Sequence, residues 1–298
     1  MSGNPVGVGP IGWVNDDLRD WGVERSGADV LREISDCGFD GTEMSYRFPQ
    51  EPAELKRTLA EYGLVLAAAY RWTNLANPDL HEEELELARR HVDFCRQAGA
   101  RFVTVAEGAG SLHWDRRGPA KEVTPLSEEQ FGLLVRGLEE TGRYAREHGL
   151  TLSVHPHGGT AVETEEDTER LLAALDPDLV GYCYDSGHVL YGGGDPGRAA
   201  ERWAERITYV HLKDVRAEVL GSVRREGLDF AAAVRRNVFC TPGTGSIDFD
   251  RPLRALQDAG YSGWYVIEAE QDPAQYDAAT VSRAALRFLQ ERYGLGNV

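Results

Sequence analysis

The sequence predicts an α/β fold: a (β/α)8 TIM barrel formed as a single domain across residues 1–298, with a helical insertion between strands seven and eight. Two observations lead there. Eight short apolar runs alternate with eight longer amphipathic segments, the rhythm of a parallel sheet with crossover helices. Glycine-bearing turns close most of the helix-like segments just before the next apolar run. An open doubly wound sheet has the same rhythm, but eight units in one chain favour closure into a barrel.

Taken in order, the expected strands are residues 6–11, 41–45, 64–70, 102–107, 150–156, 181–185, 207–213 and 264–269. The expected helices are 28–37, 52–62, 82–97, 128–148, 165–175, 197–205, 249–259 and 278–292. The turns Cys37-Gly38-Phe39-Asp40, Tyr62-Gly63, Ala98-Gly99-Ala100, His148-Gly149 and Ala259-Gly260-Tyr261 each put glycine where a helix must stop. Ser127 followed by Glu128, Glu129 and Gln130 reads as a capping box opening a long helix. The connection after strand seven is the longest. Its residues 217–238 look like an inserted helical lid or brace, with Arg224 or Arg225 available to complete a pocket or a subunit contact. There is no internal repeat beyond the βα rhythm and no low-complexity linker.

Composition narrows the function. Hydrophobic residues at 42% suffice for one large core, while a net charge of −17 repels phosphate backbones and anionic bilayers. Neither nucleic acid nor a membrane is expected as a partner, and a neutral sugar-like molecule is compatible with the charge. The four cysteines, Cys37, Cys95, Cys183 and Cys240, are widely spaced with no C-x-x-C pair, which fits a reducing cytoplasm better than a disulfide framework. The N-terminus lacks a signal-peptide pattern, and no run approaches the roughly 20 apolar residues of a membrane span. A cytoplasmic protein is expected, with a homo-oligomer left open.

Polar residues on otherwise apolar strands are the informative exceptions. Four of the eight histidines, His155, His157, His188 and His211, fall at or just after the ends of strands five, six and seven. Strand alternation puts His155 and His157 on one face, and likewise pairs His211 with Lys213 and Glu268 with Glu270. Asp185 ends its strand, and Ser186-Gly187-His188 is expected to begin a loop. Any one of these is an ordinary turn or capping residue. Together, at matching strand ends, they offer imidazoles and carboxylates to one barrel mouth, a donor mixture suited to a divalent transition metal such as Mn2+, Co2+, Fe2+ or Zn2+.

Other features carry less. Trp13, Asn15, Asp16, Glu43, Arg71, Trp72 and Glu107 fall near the ends of strands one to four, where sugar-hydroxyl contacts and core or loop roles are equally open. Gly192-Gly193-Gly194-Asp195-Pro196-Gly197 matches G-x-G-x-x-G, but it lies well past strand six rather than on a tight strand-to-helix turn, so a nucleotide cofactor is not expected. Gly243-Thr244-Gly245 offers either a phosphate cradle or a plain turn, of which the turn is preferred. No G-x-S-x-G elbow or Cys–His pairing supports covalent catalysis.

Several motifs in order resemble the inosose dehydratases (2-keto-myo-inositol dehydratases) of the xylose isomerase-like barrel superfamily. They are Gly9-Pro10-Ile11-Gly12-Trp13-Val14-Asn15-Asp16-Asp17, His155-Pro156-His157-Gly158-Gly159-Thr160, Asp185-Ser186-Gly187-His188, His211-Leu212-Lys213-Asp214-Val215-Arg216, Pro242-Gly243-Thr244-Gly245-Ser246-Ile247-Asp248 and Glu268-Ala269-Glu270-Gln271-Asp272-Pro273. The resemblance spans nearly the whole chain. It implies one divalent metal ion, Mn2+ or Co2+ first and Zn2+, Fe2+ or Mg2+ after them, held by His155, Asp185, His211 and Glu268. Glu270 is the rival ligand on strand eight. His155 replaces the strand-five carboxylate usual in the wider superfamily, which weakens a sugar isomerase or epimerase reading. Gly158 and Ser186 depart from the commonest residues of their motifs and leave the exact substrate open.

The implied reaction is loss of water from a cyclic polyhydroxy ketone, 2-keto-myo-inositol, through an enolate. His157 is the expected base, since dehydroshikimate dehydratases of the superfamily are similar in placing a histidine two residues past the strand-five ligand. Lys213 and Glu270 are candidates for the acid or for orienting substrate, and Trp13, Asn15, Glu43, Arg71, Glu107 and His188 are the expected substrate contacts. The rivals are a keto-sugar isomerase or epimerase, a metal-dependent endonuclease of the same barrel, which the −17 charge opposes, and a non-catalytic sugar-binding barrel.

Overall fold

The strands in chain order are β1 (Val6–Val8), β2 (Gly41–Thr42), β3 (Val65–Leu66), β4 (Ala68–Thr73), β5 (Phe102–Glu107), β6 (Thr151–Val154), β7 (Val180–Asp185), β8 (Ile207–Leu212), β9 (Asp214–Val215), β10 (Phe239–Cys240) and β11 (Tyr265–Ile267). They come from a computed structural model, which describes residues 4–111, 114–116 and 122–296. Nine of them form one parallel sheet in the order β3-β2-β1-β11-β8-β7-β6-β5-β4. Its two ends, β3 and β4, are halves of one strand separated by Ala67, whose N–H donates to the Thr42 carbonyl at 2.9 Å. The ring therefore closes through the chain itself, giving the eight-stranded barrel the alternation predicted.

Side chains alternate across that wall. Along β7, Tyr182 and Tyr184 pack into the large core under the helices, whereas Cys183 joins a separate small cluster with Ala67, Ala68, Tyr209 and Val266. Cys183 pairs with Tyr209 and Asp185 with His211, so the inward residues form successive layers: an apolar floor, then a polar layer above it. The regular strands are shorter than expected at this polar end. β6 stops at Val154, one residue before His155, and β11 stops at Ile267, one residue before Glu268. Backbone pairing still holds both residues, His155 N–H to the Val105 carbonyl at 2.8 Å and Glu268 N–H to the Leu212 carbonyl at 3.2 Å.

The helices are α1 (Gly27–Cys37), α2 (Pro52–Glu61), α3 (His81–Ala98), α4 (Glu128–Glu147), α5 (Glu165–Ala174), α6 (Ser186–Tyr191), α7 (Pro196–Trp203), α8 (Ala217–Glu226), α9 (Phe230–Arg235), α10 (Asp250–Asp258) and α11 (Ala278–Tyr293). Gly38 and Gly99 end α1 and α3 in the left-handed region, at φ of 93° and 91°. Ser127 and Gln130 form the expected capping box on α4, and Thr164 with Asp167 forms a second on α5. Two expectations need correction. Residues 9–11 leave the first strand for a short 3-10 turn at Pro10–Gly12, because proline cannot donate to the ladder. Ser186-Gly187-His188 opens helix α6 rather than a loop, because Asp185 caps it through the His188 N–H. Among the described residues no helix is long and apolar enough to cross a membrane.

The connection after β8 holds two helices, α8 and α9, and returns as β10, which pairs antiparallel with β9. Phe230, Val234, Leu220 and Val223 from this insertion form a second core with Trp21, and Arg235 makes a two-pronged ion pair with Asp20 at 2.8 and 2.9 Å. The loop that follows wraps around the buried Asp214 carboxylate. Oδ2 accepts from Gly243 N–H (3.1 Å) and Gly245 N–H (2.8 Å), and Oδ1 from Val215 N–H (2.8 Å) and Ile247 N–H (2.9 Å). The amides of Gly243 and Gly245 thus already hold an internal anion, so this segment is a tethered turn and not a phosphate cradle. Asp214→Ala strands these donors and is expected to lower unfolding free energy by about 3 kcal/mol. Urea denaturation measures this as a shifted midpoint at constant slope, and an unchanged midpoint would refute the tether.

Candidate metal centre

At the polar end of the barrel, four side chains from four neighbouring strands point one atom each at a common point. His155 Nε2 lies 3.1 Å from His211 Nδ1 and 3.6 Å from Asp185 Oδ2. His211 Nδ1 lies 3.6 Å from Asp185 Oδ2 and 2.7 Å from Glu268 Oε2. Ligands about 2.1 Å from one ion stand about 3.0 Å apart at right angles and about 3.4 Å apart in a tetrahedron, so these spacings bracket a single ion's coordination shell. Asp185 Oδ2 and Glu268 Oε2 are buried and complete no hydrogen bond. Carboxylate and imidazole lone pairs buried this close together repel unless a proton or a cation lies among them. Burial opposes a charge on His211, but these carboxylates outweigh it and pull the ring toward its protonated form in the absence of an ion. This donor set fits a divalent ion.

Local structure explains why these atoms are free. Asp185 spends Oδ1 on capping α6, at 2.9 Å from His188 N–H, which turns Oδ2 inward. His211 presents Nδ1 to the cluster because Nε2 is held 3.0 Å from Glu43 Oε1, the outer-shell arrangement that fixes a ligating imidazole's tautomer. His155 Nδ1 has no partner in the structure. Burial resists the charges on Asp185 and Glu268. Lys213, with neighbouring histidines, outweighs it and holds both carboxyls well below the usual range.

Lys213 is fully buried, and Nζ reaches Glu270 Oε1 at 3.0 Å, Glu268 Oε1 at 3.4 Å, Asp185 Oδ2 at 3.5 Å and His188 Nε2 at 3.1 Å. With its ammonium engaged on all sides it does not line the cavity, so the structure places it under the site rather than against substrate. His157, His188 and Glu270 form a second group of donors, but Lys213 already supplies positive charge to it. Glu270 therefore stands one step from the first group, with its carboxyl raised by burial to about 7 against the pull of Lys213. A third group exchanges the two carboxylates for Cys183, whose Sγ is 4.0 Å from His211 Nδ1. Burial pushes that thiol up to about 11, which makes it a poor donor.

Above the cluster opens a cavity of about 900 Å3, in the range usual for small-molecule sites. His155, His157, His211, Glu268 and Glu270 reach it, as do Asn15, Glu43 and Arg71. Asn15 Nδ2 and Arg71 Nε are buried without partners, donors available to a ligand. Three expected substrate contacts fall elsewhere. Trp13 is a core residue, 1% exposed, whose indole N–H donates to Glu33 at 2.8 Å. Glu107 ties loops together, accepting from Thr73 Oγ1, Leu75 N–H and Ala109 N–H. His188 lies behind His157 at 3.9 Å between ring centroids and accepts from Gly158 N–H. Arg224 braces the carbonyls of Leu190 and Tyr191, and neither it nor Arg225 lines the cavity.

The cavity also contains residues the sequence did not single out. Tyr70 lies two positions before Trp72 on β4 and shares its face, and its buried hydroxyl has no partner. The same alternation used for His155 and His157 would have found it. Phe230 and Trp114 also wall the cavity, and they come from the insertion and from the loop after β5, where periodicity carries no signal. Asp17, read only as part of a longer motif, accepts from both Trp72 and Trp114 indole N–H groups.

Residues 31–292 match the family model described as a xylose isomerase-like TIM barrel. An inosose dehydratase from Geobacillus kaustophilus (strain HTA426) is 41% identical over 286 residues, covering 95% of this chain and 93% of that protein. Among solved structures, an L-ribulose 3-epimerase superposes with a TM-score of 0.72 at 19% identity, covering 98% of this chain and 94% of the other. The IolI protein with a binding zinc atom gives 0.71 at 17% identity, covering 96% and 97%. These structural likenesses speak to the fold, and the near full-length sequence match is more specific. The chain belongs to the inosose dehydratase family of xylose isomerase-like TIM barrels.

Proposed function

We propose that the protein is a metal-dependent carbon–oxygen lyase that removes water from a cyclic polyhydroxy ketone, 2-keto-myo-inositol, to give a trihydroxycyclohexane dione. One observation carries the reading: four converging donors, two of them buried carboxylate oxygens without a hydrogen bond, lie beside an imidazole with one nitrogen left over, His157, at the base of a sugar-sized cavity. The inosose dehydratase relative, matched along nearly its whole length, supplies the substrate class.

His155, Asp185, His211 and Glu268 are the proposed ligands. Mn2+ or Co2+ suits two imidazoles with two carboxylates, and zinc, present in the IolI neighbour, suits the same donors. A bound ion would serve as a Lewis acid that polarises the ketone and acidifies the adjacent C–H. His157 is proposed to take that α-proton. Its Nδ1–H donates to the Gly158 carbonyl at 2.8 Å, which leaves the Nε2 lone pair free. Burial, with His155 and Lys213 nearby, holds its pKa well below the usual histidine range, so the ring stays neutral and able to accept. As the β-carbon–oxygen bond breaks, Glu270 is proposed to protonate the departing hydroxyl, which leaves as water. The resulting hydroxy-enone tautomerises to the dione, so the product is one water lighter than substrate. Lys213 keeps Glu268 and Asp185 ionised throughout. Arg71, Asn15 and Tyr70 are proposed to bind ring hydroxyls.

Chelated enzyme is expected to be inactive on inosose. Readdition of Mn2+ or Co2+ should restore a product lighter by one water in mass spectrometry, whereas recovery of unchanged mass would mark an isomerase. Glu43→Gln, which loosens the hold on His211, should weaken metal binding about 10- to 100-fold without removing a ligand, as read by competition with a chromogenic chelator. His157→Gln should keep its metal and lose turnover by about 10²- to 10⁴-fold, with α-proton exchange in D2O lost in step. Normal exchange in that variant would assign the base to another group.

A further inference from the structure

His157 is held by contacts that its own strand does not supply. Trp72 on β4 and Trp114 on the loop after β5 stack face to face, 3.9 Å between centroids and 11° between planes. Both meet the His157 ring edge-on, at 4.8 and 5.2 Å. Phe230 from the insertion packs against another side at 4.9 Å. Edge-to-face contacts of this kind fix ring orientation but need the aromatic partners to be fixed themselves.

The two indoles share one anchor. Asp17 Oδ1 accepts from Trp114 Nε1–H at 3.0 Å and from Trp72 Nε1–H at 3.3 Å. Asp17 is set in turn by Asn15, whose Oδ1 accepts the Asp17 N–H at 2.9 Å and the Leu18 N–H at 2.6 Å. A single oxygen therefore couples the loop after β1, strand β4 and the loop after β5. Without it, two indole N–H groups at the cavity wall lose the acceptor they share, and with it the hydrogen-bonded link that ties one ring of the stacked pair to the other. We propose that Asp17 is a positioning residue for the base, pinning Trp72 and Trp114 as a clamp that orients the His157 imidazole toward the substrate. The proposal rests on His157 acting as the base.

A clamp needs an acceptor oxygen, not a carboxylate, which makes the conservative replacement informative. Asp17→Asn keeps an oxygen able to accept both indole N–H groups and loses the charge and any capacity to exchange a proton. Asp17→Ala loses the oxygen too. Both are compared with wild type as Mn2+-loaded enzyme with metal quantified, by circular dichroism of the stacked indoles, steady-state kinetics on inosose, and α-proton exchange in D2O. Asp17→Ala is expected to lose the exciton couplet, with kcat and exchange falling together on the order of 10²-fold, the usual effect of a misplaced group. KM should move by less than about threefold, since ground-state binding is not the interaction removed. Asp17→Asn is expected to regain the couplet and most of the turnover.

An Asp17→Asn enzyme as impaired as Asp17→Ala, with its couplet intact, would show the carboxylate acting on substrate directly and overturn the proposal. An Asp17→Ala enzyme with wild-type kcat, or with an unchanged couplet, would overturn it as well. Wild-type exchange in His157→Gln would remove the base reading and this proposal together. That failure is told apart from failure of the clamp alone by the couplet, whose loss in Asp17→Ala reports the indole pair whether or not His157 is the base.

Discussion

The polar end of this barrel is organised around one buried ammonium. Lys213 Nζ lies within 3.5 Å of Asp185, Glu268 and Glu270, and of these groups only Glu268, 13% exposed at the cavity, is more than marginally open to water. Burying even one unpaired charge is costly, so the cluster persists only because its members compensate one another. Three carboxylates against one ammonium still leave up to two negative charges. A divalent cation cancels what Lys213 does not. The ammonium also divides the labour of the carboxylates. It holds Asp185 and Glu268 ionised, as the proposed ligands must be, while Glu270, which burial raises to about 7, remains able to carry a proton. Two glutamates on one short segment thus acquire different chemistry from their surroundings.

How much of this was legible follows from where each residue sits. Alternation with a period of two, read from apolar runs, was enough to bring imidazoles and carboxylates of four strands to one mouth, and the family resemblance singled out His155, Asp185, His211 and Glu268 among them, although His155 and Glu268 lie just past the regular strands. The reason is that backbone pairing to Val105 and Leu212 continues one residue beyond the ladder and preserves the facing. The same regularity left α6 hidden, because Asp185-Ser186-Gly187 has the composition of a turn. In the structure Asp185 serves two ends at once, one oxygen capping the helix and the other facing the donor cluster.

The loops were less readable, for physical reasons. Trp13 and Trp72 are alike in type and in distance from the strand ends expected from sequence, yet one fills the core and the other walls the cavity. What separates them is the path of a 3-10 turn that proline imposes after β1, which no periodicity encodes. Glu107 looked like a substrate contact for the same reason that it makes a good loop anchor. A carboxylate at a strand end is within reach of the backbone N–H groups of the loops that follow, and here Leu75 and Ala109 take it. Phe230 sits within the insertion, where amphipathic spacing predicts a helix but not which barrel residue it will meet.

These two kinds of residue divide the site. Groups set by barrel register sit on the stiffest part of the fold, where neighbouring strands fix each other's position, and they assemble the charged cluster. Groups set by loops shape the cavity, and they would be free to drift were they not tied across the mouth. Arg235 with Asp20 ties α9 to the loop after β1, and that loop carries Asp17, which holds Trp72 and Trp114. The insertion is therefore more than a cover. By bracing the segment that bears Asp17 and by placing Phe230 against His157, it makes the orientation of one imidazole depend on contacts far apart in sequence, one of them, Arg235 with Asp20, across 215 residues. That dependence explains why a barrel whose layer of converging imidazoles and carboxylates is legible in strand periodicity still needs its longest loop to complete the cavity wall.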